Sequence, residues 1–203
     1  MVVMMSTNPR ATVTPPATFV IIPTYNEANN LPAIVSALFA LAIDNLHIVI
    51  VDDNSPDRTG DVAERLRRTH PRHLHVMHRP GKLGLGSAYR DGFRFALDQG
   101  ADLIIQMDAD FSHSPAYLTE FLRHIQTCDV VVGSRYVEGG TTDERWSLFR
   151  RLNSRVATLL ARPFTCARDP MSGFFALRRE TFASAQDLNP IGYKIGLELL
   201  VKA

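Results

Sequence analysis

Residues 103–115 read LIIQMDADFSHSP, and the reading of the fold starts from how that run is built. Residues 103–107 are apolar except for Gln106, a length and character that suit a short buried strand. The run stops at two carboxylates, Asp108 and Asp110, one small residue apart. Ser112, His113, Ser114 and Pro115 then supply turn and helix-start chemistry. In an open α/β sheet, ligands gather outside the carboxyl ends of the strands. Two acids in alternate positions there can direct their oxygens at one hard cation. The plainer alternative is that one acid caps the next helix and the other is solvated.

The same grammar recurs along the chain. FVIIP at 19–23 is followed by TYNEANN and a helical pattern over 31–42, and HIVIV at 47–51 by DDNSPDRTG and a charged helix over 61–69. A strand at 74–78 leads into RPGKLGLGS and a helix over 88–99, the acid pair leads into a helix over 116–126, and a fifth strand at 129–133 runs into SRYVEGG. Apolar strands alternating with helices predict an α/β fold, a mainly parallel central sheet with helices on both faces. Right-handed crossovers then bring the polar clusters to one rim.

Beyond Gly140 the pattern changes. Residues 145–162 form a basic amphipathic stretch, with Trp146, Phe149, Leu152 and Val156 among Arg145, Arg150, Arg151 and Arg155. It reads either as a helix packed on the sheet or as one lying on a membrane surface or facing an anionic substrate. A strand is predicted over 171–177 and an apolar helix over 195–203. That helix ends without a cap, so truncation at the C-terminus is expected. Residues 1–17 read as a flexible tail, which leaves 18–203 as one domain.

The 203 residues carry a net charge of +1, with 45% apolar and 21% charged residues. Such a balance fits a globular domain and gives no global pull toward nucleic acid. No run reaches the roughly 18 apolar residues of a membrane span. The two cysteines, Cys128 and Cys166, show neither metal-ligand spacing nor a CxxC, and read as inert thiols in a reducing compartment.

The strand-end clusters each offer chemistry. Tyr25 presents an aromatic face for a nucleobase and Glu27 a carboxylate for base or ribose, although the pentapeptide alone is an ordinary turn. Asp52 and Asp53 point to opposite sides of their strand; one division has Asp52 on base or ribose and Asp53 holding the turn, the other gives both to turn chemistry. The glycines of RPGKLGLGS have neither Walker nor GxGxxG spacing, yet Lys82 and a helix start suit an anion. Arg135 can match a phosphate bidentately, or serve in a structural ion pair. His113 reads as a local hydrogen-bond partner.

Taken in order, FVIIPTYNE, VDDNSPD, KLGLGSAYRDGF, MDADFSHSP, GSRY and DPMSGFFALRRE resemble the family 2 glycosyltransferases, specifically the polyprenyl-phosphate mannose synthases. The resemblance runs from about Phe19 to the last residue. It implies a nucleotide-diphospho-sugar transferase (GT-A) fold, GDP-mannose as donor, a polyprenyl phosphate in a membrane surface as acceptor, and Mg2+ or Mn2+ as cofactor. Carried over, Pro23, Tyr25, Glu27 and Asp52 hold the guanosine end. The implied nucleotide-sugar pocket also takes in Ile50, Lys82, Met107, Asp108, Ala109 and Arg135. Asp108, Asp110 and Ser112 would bind the metal, Asp110 and Arg135 would serve catalysis, and residues 169–174 would shape the acceptor side.

The expected localisation is cytoplasmic, peripheral on a membrane face. Arg58 stands where relatives usually have Gly, and a C-terminal loop with a basic pair found in relatives is missing. The remaining alternatives are a UDP-sugar transferase, a nucleotidyltransferase and a non-catalytic nucleotide-binding module.

Overall fold

The structure, a computed structural model, describes residues 2–5, 15–134, 169 and 172–184. The described strands are β1 (Val2–Met5), β2 (Thr18–Thr24), β3 (Leu46–Asp52), β4 (Leu74–His78), β5 (Leu103–Gln106), β6 (Val130–Gly133) and β7 (Phe175–Arg178). The described helices are α1 (Leu31–Phe39), α2 (Thr59–Thr69), α3 (Leu85–Asp98), α4 (Tyr117–His124) and a short α5 (Arg179–Ser184).

All seven residues of β2 are buried, because the strand sits inside the sheet and is covered on both sides. The order is β1-β6-β7-β5-β2-β3-β4. β2 pairs parallel with β3 and β5, and β3 parallel with β4. β7 pairs antiparallel with β5 and β6, and β1 antiparallel with β6. Strands β2 to β6 therefore run one way, as the βα alternation predicts, and only β7 and β1 are reversed.

The period-two alternation of the strands builds two apolar layers. Val20, Ile22, Ile48, Ile50 and Ile105 face α1, α2 and α4. Phe19, Ile21, Val49, Val51 and Ile104 face Ala88, Tyr89, Phe93 and Ala96 of α3. In α1 the buried residues are Leu31, Ile34, Val35 and Leu38, one face of a 3.6-residue period. α3 approaches the sheet closely at Gly92, where an added Cβ would stand 2.4 Å from Ile21 Cγ2.

Several boundaries differ from the expectation, each for a local reason. α1 stops at Phe39 rather than 42, and Ala42 turns the chain with a φ of 49°. α3 begins at Leu85 rather than 88, because Gly84 takes a φ of 98° and its N–H donates to Asp53 Oδ2 at 2.9 Å. β7 covers Phe175–Arg178, later than the expected 171–177. Ser172 delays it by donating to Gly133 O at 2.6 Å and accepting from Phe174 N at 3.2 Å. Residues 2–5, expected within a tail, pair instead with β6, an edge that a VVMM segment suits. The expected helices at 145–162 and 195–203 lie outside the described residues. Among the described residues no helix is long and apolar enough to cross a membrane.

Candidate active site at the carboxyl rim

Parallel strands put the loops after β2, β3, β4 and β5 side by side. The first two are laced together. Asn26 N donates to Ser55 Oγ at 3.1 Å, Glu27 N to Thr59 Oγ1 at 2.9 Å, and Ala28 N to Asp57 Oδ2 at 3.0 Å. Burial pushes the Asp57 carboxyl up, but hydrogen bonds from Thr59 and Ala28 outweigh it and hold the group below its ordinary value. Asn26 and Asn54 take positive φ, which Asn tolerates. Arg58 does so too, at φ 68° and ψ 25°, a conformation that favours glycine.

On this frame Tyr25 is half-buried, and Lys82 Nζ lies 3.9 Å from its ring centroid. One face of the ring expected to stack a base is thus met by the glycine-rich loop, through a cation–π contact. Glu27 Oε2 accepts from Asn30 Nδ2 at 2.8 Å. Pro23 and Ile50 are buried within β2 and β3.

The two acids ending β3 hold different partners. Asp52 Oδ1 accepts from Thr24 Oγ1 at 3.1 Å and from Ser55 Oγ, and its Oδ2 accepts from Ser55 N at 3.1 Å. These are turn contacts. Asp53 reaches across to the glycine-rich loop: it is ion-paired with Arg79 Nη1, and both side chains are under 10% exposed. Arg79 Nη2 also donates to Ser87 Oγ at 2.7 Å. A buried guanidinium and carboxylate therefore pin residue 84, where the loop becomes α3.

The acid pair lies in the middle of the rim. Met107 and Ala109 are buried, Asp108 is half-buried, and Asp110 and Ser112 are exposed. Asp108 Oδ1 accepts from Tyr89 Oη at 2.6 Å. Asp108 N donates to His113 Nδ1 at 3.1 Å, and the His113 ring stacks on Phe174 with centroids 4.9 Å apart. His113 is thus the local hydrogen-bond partner that the sequence suggests. Asp110 Oδ1 accepts from Ser112 N at 2.9 Å. Burial pushes Asp110 up, but bonds from Ser112 and the nearby His113 hold it below the ordinary carboxylate value, so it is ionised at neutral pH. Tyr89 is driven well above its ordinary value by burial first and then by the Asp108 charge, and stays a donor.

This donor set fits a hard divalent cation. Two carboxylates one residue apart follow a strand end, and among the described residues neither is ion-paired with Lys or Arg. Nearby, the buried Gln106 Oε1 has no hydrogen-bond partner among the described residues. A Cβ at Gly173 would stand 3.7 Å from Asp108 Oδ2 and 3.8 Å from Gln106 Nε2, so the segment before β7 closes on the acid loop.

Of the site residues expected from the sequence, Arg135, Pro170 and Met171 lie outside the described residues; the loop residues Tyr25, Glu27, Lys82, Asp108, Asp110 and Ser112 lie on this rim. The contacts of Tyr89, Arg79 and Asp53 are not apparent from sequence. Tyr89 reads in sequence as one more residue on the apolar stripe of α3, and Asp53–Arg79 spans 26 positions. The only signal for either was their place inside or beside the glycine-rich segment.

The model of the family described as "Glycosyl transferase family 2" matches residues 19–184. A dolichol-phosphate mannosyltransferase of Pyrococcus furiosus is 42% identical over 189 residues, 90% of this chain and 52% of that protein. A polyprenol monophosphomannose synthase of Mycolicibacterium smegmatis is 41% identical over 200 residues, 95% of this chain and 74% of that protein. The chain thus spans from about half to three quarters of these relatives. Among solved structures, a mannosyltransferase from Pyrobaculum calidifontis in complex with GDP-Man and Mn2+ superposes with a TM-score of 0.63 at 20% identity, over 91% of this chain and 51% of that one. Glucosyl-3-phosphoglycerate synthase from Mycobacterium tuberculosis, with Mn2+, UDP-Glc and phosphoglyceric acid, gives 0.65 at 20% identity, over 97% and 71%. These two show a shared fold.

Proposed function

The chain belongs to glycosyl transferase family 2, and on that premise we propose that it transfers mannose from GDP-mannose to a polyprenyl phosphate at a membrane surface. The observation that carries this reading is the meeting, on one rim, of the laced Tyr25–Glu27 loop, the Lys82 loop and the acid pair. The relatives named for this reaction support it, being 41–42% identical over at least nine tenths of the chain.

In this reading Pro23, Tyr25, Glu27, Ile50 and Asp52 form the wall for the nucleoside. Asp52 acts mainly by holding the turn that shapes it. Lys82 moves between the Tyr25 ring and a donor phosphate. Asp108 and Asp110, with Ser112 beside them, hold Mg2+ or Mn2+, which when bound supplies positive charge to the departing diphosphate. Arg135 serves as a further phosphate grip.

No side chain is needed as a general base. A phosphate monoester is largely ionised at neutral pH, its second pKa being about 6. Its oxygen attacks the anomeric carbon directly, whereas a hydroxyl acceptor would first have to lose a proton. One in-line displacement inverts that centre and leaves a β-linked mannosyl phosphate.

Transfer of radiolabelled mannose from GDP-mannose to a polyprenyl phosphate in vesicles tests the assignment, with NMR of the product. We expect a β-mannosyl lipid and its loss in Asp110→Asn. An α-linked product would overturn the mechanism, and transfer from UDP-glucose but not GDP-mannose would overturn the donor.

A further inference from the structure

The side chain that shapes the acid pair from behind belongs to α3. We propose that Tyr89 is a positioning residue that leaves Asp108 a single free oxygen and so tunes the acid pair to small divalent cations over Ca2+. This rests on the cation reading given above.

Tyr89 is fully buried, and its hydroxyl donates to Asp108 Oδ1 at 2.6 Å. The ring cannot follow a carboxylate that turns. It packs beside Phe93 at 5.9 Å, on a helix held against Ile21 at Gly92 and pinned at Gly84 by Asp53. Asp108 is also fixed from its main chain by the bond to His113. One oxygen thus faces a buried phenol; the other, Oδ2, lies 3.8 Å from His113 Nδ1 and takes no hydrogen bond among the described residues, on a side chain that is 35% exposed overall.

A carboxylate so held offers one oxygen to a metal. Mg2+ keeps near-octahedral geometry with one oxygen per carboxylate, whereas Ca2+ takes more oxygens at longer distance and accepts both from one carboxylate. Removing the hydroxyl frees Oδ1, loosens the rotamer and permits the bidentate mode. Partners that orient a metal ligand commonly change affinity by about 10–100-fold.

The test is a titration of the full chain with Mn2+, followed by loss of the free-ion EPR signal, with Ca2+ as competitor. We expect wild type to bind Mn2+ and resist Ca2+, Tyr89→Phe to bind Mn2+ at least about 10-fold more weakly, and its Mn2+/Ca2+ preference to fall. Phe95→Leu removes packing from the same helix, where Phe95 meets His75 at 5.3 Å, without touching Tyr89 or Asp108; it is expected to lower Tm and leave both affinities unchanged.

Unchanged Mn2+ affinity and selectivity in Tyr89→Phe would overturn the proposal while leaving the cation site standing. Should that variant not fold, wild type still decides: equal displacement of Mn2+ by Ca2+ overturns the role assigned to Tyr89. A wild-type chain that binds no Mn2+ overturns the cation reading and this proposal with it.

Discussion

At residue scale, Arg58 shows how a departure from a family pattern acquires a physical meaning. The resemblance read from the sequence implies Gly there, and this chain places an arginine at φ 68°. A non-glycine residue in the left-handed region costs about 1–2 kcal/mol, and the exposed Arg58–Asp61 pair, at 2.8 Å, offsets little of it. Arg58→Gly should therefore stabilise the chain by roughly 1 kcal/mol, a rise of about 2–4 °C in Tm. Thermal unfolding followed by circular dichroism checks this, and a lower Tm would refute it. The acid pair, by contrast, was legible from its two letters and their place after an apolar run. What sequence does not reveal is which oxygen of Asp108 is already taken, since that depends on a tyrosine 19 positions away.

At the scale of elements, the strand–loop–helix order was legible because each element repeats one pattern of burial. The boundaries were not, because they are set by contacts across the sheet: Asp53 starts α3, and Ser172 delays β7. Gly92 belongs here as well. Ala at that position would drive a methyl into Ile21, and overpacking of this kind costs about 1–3 kcal/mol. Gly92→Ala should lower Tm with β2 and α3 forced apart; an unchanged Tm would mean that the two slide freely.

A second element-scale prediction concerns β3 and β4. Their His47 and His75 share a 3.2 Å hydrogen bond, and Phe19 stacks on His47 with centroids 4.5 Å apart. Burial first, then the charge of His73, depresses both below 6.5, with His75 adding to the effect on His47. Because the folded values are the lower ones, the unfolded chain takes up protons first. The stability these groups contribute is complete above pH 6.5 and is lost as pH falls through their folded values. Tm measured from pH 7.5 to 5 should fall, and His75→Gln should shrink that fall. A slope identical to wild type would show that the pair does not titrate on unfolding.

At the scale of the whole molecule, two apolar layers and one sheet carry a rim assembled from segments 80 residues apart. Any ligand that spans the rim must then stabilise the chain globally. GDP with Mn2+ at 100 times its Kd should add about 2.7 kcal/mol and raise Tm, whereas UDP at the same concentration should raise it less. Equal shifts would remove the case for guanosine.

The buried Arg79–Asp53 pair has a consequence in conformational entropy. It fixes the chain at Arg79 and again at Gly84, so the freedom of the glycine-rich loop is confined to residues 80–83, one of them a proline. Ordering a residue's backbone costs about 1–2 kcal/mol, and here the count of residues left to order is small before any anion arrives. Under the proposed function, the pair lowers the entropic cost of bringing Lys82 to a donor phosphate.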